Sequence, residues 1–263
     1  MTQVYAGVDI GSLTTKVVLI DGKGEVLGRA RARSGYAGRE VAMRLTAGLL
    51  AELGLSREQV AAAVATGYGR ITYEADREVS EITCQARGIA HLFGAARTII
   101  DIGGQDSKVI RLLPGGKVAD FAMNEKCAAG TGRFLEVMAG ALEVPLEEMG
   151  RLALSARGAA SISSVCTVFA ESEVISHVSA GMPKPDVLAG VCDAVSARVA
   201  AMTSRTGVEP ELVFTGGVAR NQGVVAALSR QLGPLLVPQE PEITAALGAA
   251  LIARGLSERG TGR

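Results

Sequence analysis

The stretch Ile99-Ile100-Asp101-Ile102-Gly103-Gly104-Gln105-Asp106-Ser107-Lys108-Val109 decides the fold of this 263-residue chain, because much of it is used twice. An apolar run into a glycine turn, with a return run from Ser107 to Leu112, reads as a β-hairpin. Val4 to Ile10, a small hydroxyl-rich turn, and Thr15 to Ile20 read the same way. The two aspartates are 101 − 9 = 92 residues apart. At that offset Asp9 meets Asp101, Ile10 meets Ile102, Gly11 meets Gly103, Lys16 meets Lys108 and Val17 meets Val109. Asp-Ile-Gly is a cheap turn that can recur by chance, but five coincidences at one offset, a lysine among them, argue duplication. Two related lobes are expected, residues 1–95 and 96–263. Hairpins opposed across a cleft would clamp a nucleotide from both sides, and Asp9 and Asp101 could hold a hydrated Mg2+, which favours one or two carboxylates while keeping its waters.

Outward from the hairpins, Glu25 to Arg33 reads as a third, more polar strand. Arg39 to Leu53 has helical spacing and stops at Gly54, Val60 to Thr66 is a short strand, and Ile82 to Phe93 is helical. Helices are expected over Phe134–Leu142, Leu146–Leu154, Val168–Val178, Val187–Met202, Gln222–Leu232 and Thr244–Ala253. Strands are expected over Ala159–Val165, Leu212–Thr215 and Leu235–Val237, with Gly255–Arg263 frayed. Strands alternating with helices make the chain α/β.

Composition supports this. The chain is 48% hydrophobic with 3% aromatics and no tryptophan, so its cores must be built from Ala, Val, Leu and Ile, which suits sheets flanked by helices. Twenty-seven basic residues balance 27 acidic ones, so no electrostatic footprint for nucleic acid or an anionic membrane is expected. The N-terminus has no signal-peptide pattern and no run reads as a membrane span, so a cytoplasmic location is expected. Cys84, Cys127, Cys166 and Cys192 do not form a secreted disulfide framework and read as free thiols or metal ligands. His91 and His177 lie inside helical patterns and read as structural.

A second stretch, Asn124-Glu125-Lys126-Cys127-Ala128-Ala129-Gly130-Thr131-Gly132, places a cysteine in a small-residue loop ahead of a helix. A thiolate there could face an electropositive helix N-terminus. No Gly-Lys-Ser/Thr follows, so it is not a Walker-type loop. Ser164-Val165-Cys166-Thr167-Val168-Phe169-Ala170-Glu171-Ser172-Glu173 places a second cysteine in the same way.

Together these motifs resemble the acetate/sugar kinase, Hsp70 and actin superfamily of ATPases, with duplicated ribonuclease-H-like lobes and a nucleotide cleft between them. The first hairpin matches its phosphate-1 motif, the Asp101 hairpin its phosphate-2 motif, and Val213-Phe214-Thr215-Gly216-Gly217 its adenosine motif. Within the superfamily, the chain is most similar to the activator ATPases of 2-hydroxyacyl-CoA dehydratases, relatives of the benzoyl-CoA reductase ATPase subunits. The resemblance covers Val8 to Ala253. It implies ATP/ADP and Mg2+ held by Asp9, Gly11, Ser12, Leu13, Thr14, Thr15, Lys16, Asp101, Gly103, Gly104, Gln105, Lys108, Gly216, Gly217 and Asn221. Asp101 and Gln105 would be catalytic, the glutamine orienting the attacking water.

The resemblance also implies a homodimer sharing one [4Fe-4S] cluster, held by Cys127 and Cys166 of each chain. A four-iron cluster takes four thiolates, and a two-fold dimer supplies them as two identical pairs. The glycines beside Cys127 would let its backbone pack against Cys166 and the symmetry mate, with both helix N-termini aimed at the cluster. Cys84 and Cys192 read as packing. Lys16 and Lys108 read either as solvated strand residues or as phosphate contacts. Gln85 replaces the histidine common in the family. Ferredoxin or flavodoxin would be the electron donor and a dehydratase or reductase the acceptor. A small-molecule kinase on the same scaffold is the alternative.

Overall fold

The computed structural model describes residues 3–260. Its strands are β1 (Val4–Ile10), β2 (Thr14–Ile20), β3 (Val26–Arg33), β4 (Val60–Thr66), β5 (Arg77–Glu78), β6 (Thr98–Ile102), β7 (Ser107–Leu112), β8 (Val118–Asn124), β9 (Leu212–Thr215) and β10 (Leu235–Leu236). Its α-helices are α1 (Gly38–Glu52), α2 (Glu81–Leu92), α3 (Gly132–Leu142), α4 (Met149–Leu154), α5 (Thr167–Ser179), α6 (Lys184–Thr206), α7 (Gln222–Leu232) and α8 (Thr244–Gly260).

The strands form two five-stranded sheets with the same plan, β3-β2-β1-β4-β5 and β8-β7-β6-β9-β10. In each, a central strand pairs antiparallel with its hairpin partner and parallel with the strand on its other side. The registers repeat as well: Asp9 opposes Lys16 and Asp101 opposes Lys108, while Asp9 sits beside Thr66 and Asp101 beside Thr215. The fold is α/β with duplicated lobes, and the repeat extends beyond the hairpin to β4 and β9.

Two units enclose these sheets. One holds the described residues up to Ala96, Leu112–Val118 and those from Glu242 onward; the other holds Arg97–Arg111 and Ala119–Pro241. In the first unit, strand alternation sends Val4, Ala6, Val8 and Ile10 into one core with Ala42, Leu49 and Leu50 of α1. Tyr5, Val18, Ile20 and Val64 face the other way, onto Cys84 of α2 and Ala246, Leu247 and Ala250 of α8. Fully burying each of the larger side chains contributes about 1.5–3 kcal/mol relative to leaving it in water. The second core is a single cluster of β6, β7, β9 and α3–α7 around Phe134, Met138, Val191, Val195 and Phe214.

Several elements depart from the sequence reading. The last helix, expected with residues 96–263, packs in the first unit. Small residues make this possible: a Cβ on Gly7 would collide with the Ala246 carbonyl, and one on Gly248 with the Cys84 carbonyl, so α8 rests directly on β1 and α2. That helix also continues to Gly260, so Gly255 is helical, not frayed; residues 261–263 lie outside the described residues. Residues 159–165 form no strand. Their N–H groups are taken individually, Ala160 donating to the Asp186 carbonyl (2.9 Å) and Ser163 to Glu173 Oε2 (2.6 Å), with no ladder beside them.

The edge strand β8 was not anticipated, and its mostly exposed residues explain why no apolar pattern marks it. Helix α6, at 23 residues, is long and apolar enough to cross a membrane, contrary to expectation, but 61% of its apolar window is buried inside the protein. Gln85, the departure from the family pattern, is buried and accepts a 2.7 Å hydrogen bond from the Thr244 hydroxyl, which satisfies it inside the α2–α8 contact.

Candidate functional site: paired hairpin turns and a thiol loop

In the second unit, Asp101 is the next-to-last residue of β6 and is 4% exposed, and its partner across the hairpin is the enclosed Lys108. The Lys108 ammonium lies 3.6 Å from Asp101 Oδ2 and 2.8 Å from Asp106 Oδ1. Lys108 is therefore neither a solvated strand residue nor a side chain open to the turn; it is the countercharge of two carboxylates. Sequence reasoning missed Asp106, although its place between Gln105 and Ser107 in the turn was visible. The turn closes through Gly103 N–H to the Asp106 carbonyl (2.9 Å), leaving Gln105 exposed at its tip.

Thr215 lies beside Asp101, and the chain then turns at Gly216 with φ +87°. A Cβ there would collide with the Ile102 carbonyl and lie 2.6 Å from Asp101 Oδ1, so only glycine lets this turn close over the aspartate. Gly217 has open space around it, which a ligand could approach. Thus Asp101, Gly103, Gly104, Gln105, Lys108, Gly216 and Gly217 converge at one end of the sheet. Asn221 caps α7, its Oδ1 accepting from Val224 N–H at 3.1 Å.

The first unit repeats this arrangement. Asp9 is 2% exposed and takes Lys16 Nζ on Oδ2 at 2.9 Å, while Oδ1 is buried with no protein partner. An orphaned carboxylate oxygen at a phosphate-type turn fits an Mg2+ ion or its bound water. Gly11 N–H closes the turn onto the Thr14 carbonyl at 3.1 Å, placing Ser12 and Leu13 at its tip. Thr15 is buried, its hydroxyl 2.9 Å from Ser34 Oγ, and Ser34 donates to the Gly11 carbonyl at 2.7 Å, so Thr15 shapes the turn from behind. Gly67, with φ +84°, covers Asp9 as Gly216 covers Asp101: its Cβ would collide with Asp9 Oδ1. Thr66-Gly67 was not singled out, yet its likeness to Thr215-Gly216 was readable.

The thiols divide into two kinds. Cys127 and Cys166 are half-buried, and Cys127 Sγ lies 3.7 Å from the Val165 carbonyl, so the two loops touch. Asn124 Nδ2 donates to the carbonyls of Cys127 (2.9 Å) and Ala129 (3.1 Å), pinning the first loop. Glu173, through Ser163 N–H, and His177 Nε2, 3.2 Å from the Ser161 carbonyl, fasten the second to α5.

Cys166 is the N-cap residue of α5, as expected, and no side chain caps that end. For Cys127 the expectation fails. Helix α3 starts five residues later, and its first N–H groups, Gly132 and Arg133, donate to the carbonyls of Gly103 (2.9 Å) and Gly104 (2.8 Å). The loop glycines also serve another end: Gly130 (φ +81°) fits against the Arg198 side chain, and Gly132 against the Gly103-Gly104 turn.

Cys84 and Cys192 sit in the cores of different units, 0% and 2% exposed. Burial pushes both thiols up to about 12, with the charges of Asp9 and Asp193 respectively adding to the effect. Enclosed among apolar side chains, both are packing residues. Among the described residues no three His, Cys, Asp or Glu side chains group as a metal site. One chain therefore offers two accessible thiols, which suits half of a shared [4Fe-4S] site and rules against one metal held by all four cysteines. Iodoacetamide on the metal-free reduced chain at pH 8 is expected to modify Cys127 and Cys166 quickly, and Cys84 and Cys192 only after denaturation.

Because the two core thiols are raised from 9.0 in the folded state, their contribution to stability is complete below pH 9. It is lost as pH rises towards 12, by about 1.4 kcal/mol per thiol per pH unit. Urea midpoints measured from pH 8 to 10.5 should fall more steeply than in a variant lacking both.

The chain is 47% identical over 251 residues to the activator of lactoyl-CoA dehydratase of Anaerotignum propionicum, covering 94% of this chain and 96% of that protein. It is 32% identical over 237 residues to one of the subunits of the benzoyl-CoA reductase of Thauera aromatica, covering 87% and 83% of the two chains. The structure matches the activator of 2-hydroxyisocaproyl-CoA dehydratase from Clostridium difficile, solved with bound ADPNP, with a TM-score of 0.92 and 43% identity over 99% of this chain and 97% of that one. A ROK family glucokinase from Streptomyces griseus, 15% identical with a TM-score of 0.59 over 97% and 100% of the two chains, shares the fold alone. The BadF/BadG/BcrA/BcrD ATPase family matches residues 6–253. By that match and these relatives, the chain belongs to the BadF/BadG/BcrA/BcrD ATPase family and is an ATPase.

Proposed function

We propose that this chain is the ATP-dependent activator of a 2-hydroxyacyl-CoA dehydratase, a cytoplasmic one-electron donor working as a homodimer around a shared [4Fe-4S] cluster. The observation that carries it is the pair of half-buried free thiols, Cys127 and Cys166, on touching loops of an ATPase that has no further ligand beside them among the described residues. Val165, Val168 and Phe169, 70%, 66% and 66% exposed, border Cys166 with apolar surface of the kind a second copy covers.

The residues divide the work. Cys127 and Cys166 would hold the cluster from each side of the two-fold axis. When bound, the cluster supplies a low-potential electron, received from ferredoxin or flavodoxin and delivered to the dehydratase or to a related reductase of the benzoyl-CoA type. Asp9 and Asp101 would orient Mg2+, with Lys16 and Lys108 balancing their charge. The turns at Gly11–Thr14 and Gly103-Gly104, with Gly216-Gly217, would take the nucleotide, and exposed Gln105 would orient the attacking water. Nucleotide can drive the cycle only by binding two arrangements of the protein with different affinity.

The test is an anaerobic assay with a dehydratase as acceptor. The reduced, iron-loaded chain should be oxidised by the acceptor only while ATP is hydrolysed. Phosphoryl transfer to a small metabolite, with no electron transferred, would make the chain a kinase instead.

A further inference from the structure

Helices normally leave their first N–H groups to caps, water or ligands. Those of α3 are spent on the nucleotide-type turn itself, through Gly132 N–H to Gly103 O (2.9 Å) and Arg133 N–H to Gly104 O (2.8 Å). The contact is tight as well as bonded. A Cβ on Gly132 would lie 3.1 Å from the Gly103 carbonyl oxygen and 3.2 Å from Gly104 Cα. On its other side, Thr131 is wholly buried and bonds back to the Ala128 carbonyl through both N–H (3.1 Å) and Oγ1 (2.6 Å). Ala128 adjoins Cys127, whose own carbonyl is held by Asn124. An unbroken run of buried or bonded groups therefore leads from the Gly103-Gly104 turn to one thiol. Cys166 is placed differently: its loop is fastened by Glu173 and His177 of α5, and the Cys166 carbonyl takes the Ala170 N–H of the same helix.

We propose that the first turn of α3 couples the Gly103-Gly104 turn to the Cys127 loop, with Gly132 and Arg133 as positioning residues, so that phosphate held at that turn sets the placement of Cys127 and leaves Cys166 to α5. This rests on the nucleotide reading above. The two cysteines of one chain then have distinct duties, one responsive to nucleotide and one fixed. A displaced carbonyl at Gly103 or Gly104 must move or break the α3 bonds, because a packed interior transmits displacement instead of absorbing it.

Amide hydrogen exchange on the full chain, with and without Mg·ADP and a non-hydrolysable ATP analogue, tests it, calorimetry reporting nucleotide binding in parallel. Binding should change exchange across residues 127–133 by about tenfold, and across 163–169 by less than about twofold. In Gly132→Ala the change across 127–133 should fall to less than about half of that, while Gly140→Ala on the same helix, where a Cβ meets nothing within 4 Å, should keep it. If nucleotide binds and residues 127–133 do not respond, or 163–169 respond equally, the coupling is wrong while the nucleotide reading stands. If nucleotide does not bind, both fall. Should Gly132→Ala fail to fold, the contrast between the two segments in the unsubstituted chain still decides the matter.

Discussion

Chain purified and reconstituted without oxygen is expected to hold about four iron atoms per two chains, and Cys127→Ala or Cys166→Ala to hold less than about a tenth of that. The loss is so large because one chain supplies only two thiolates, so removing one from each protomer leaves the dimer with two of four. The fold should survive. Both side chains are half-buried, and the Cys127 thiol makes a weak polar contact with the Val165 carbonyl at 3.7 Å. A stability change within about 1 kcal/mol is expected. Nucleotide binding should persist, since neither thiol is part of the turns at Asp9 or Asp101. Cys84→Ala and Cys192→Ala should keep their iron, because those thiols are enclosed in the cores. A colourless, iron-free unsubstituted chain after reconstitution, or iron retained in Cys127→Ala, would sink the cluster assignment.

Lys108→Ala should be the most destabilising single change in the nucleotide-type turns. Its side chain is 2% exposed and faces Asp101 and Asp106, so the substitution removes the countercharge of two carboxylates, at Asp101 in a nearly dry site. Breaking a buried pair this way costs about 3–5 kcal/mol. For a protein of this size that corresponds to a fall of roughly 6–20 °C in midpoint by calorimetry. Lys16→Ala should cost less, because the Lys16 side chain keeps 15% exposure and water can reach the gap it leaves. Combining Lys108→Met with Asp101→Asn should restore much of the lost stability, though not activity, since the buried charge goes with its partner. A loss under about 1 kcal/mol for Lys108→Ala would show that the carboxylates are solvated or protonated instead.

The hairpins were legible because their signal is local: the periodicity of the strands and the Asp-Ile-Gly turn lie within a few residues of one another, and the repeat at offset 92 exposes them. The cysteine loops stand out in the residues, but only the family resemblance marks Cys127 and Cys166 as candidate ligands, since nothing in Lys126-Cys127-Ala128 by itself separates a ligand from a small buried residue. Residues 159–165 misled because small and β-branched residues look like a strand wherever they occur, while the groups that hold this segment lie at Asp186 and Glu173. The C-terminal helix was assigned by chain order. Its partners, Gly7 and Gly88, are glycines whose role shows only once another backbone is laid against them.

The sequence by itself determined the duplicated α/β plan, the two aspartate–lysine hairpins, the glycine turn at Gly216 and the positions of the four cysteines. Tertiary structure alone decided that Lys108 is sealed against Asp106 and that Cys84 and Cys192 are enclosed. It alone decided that α8 returns to the first sheet, and that the helix after the Cys127 loop points at the Gly103-Gly104 turn. The physical reason is range. Strand periodicity and turn chemistry are set by neighbours in sequence, whereas burial of a charge, the pKa of a thiol and the partner of a helix N-terminus depend on groups that only folding brings within a few ångströms.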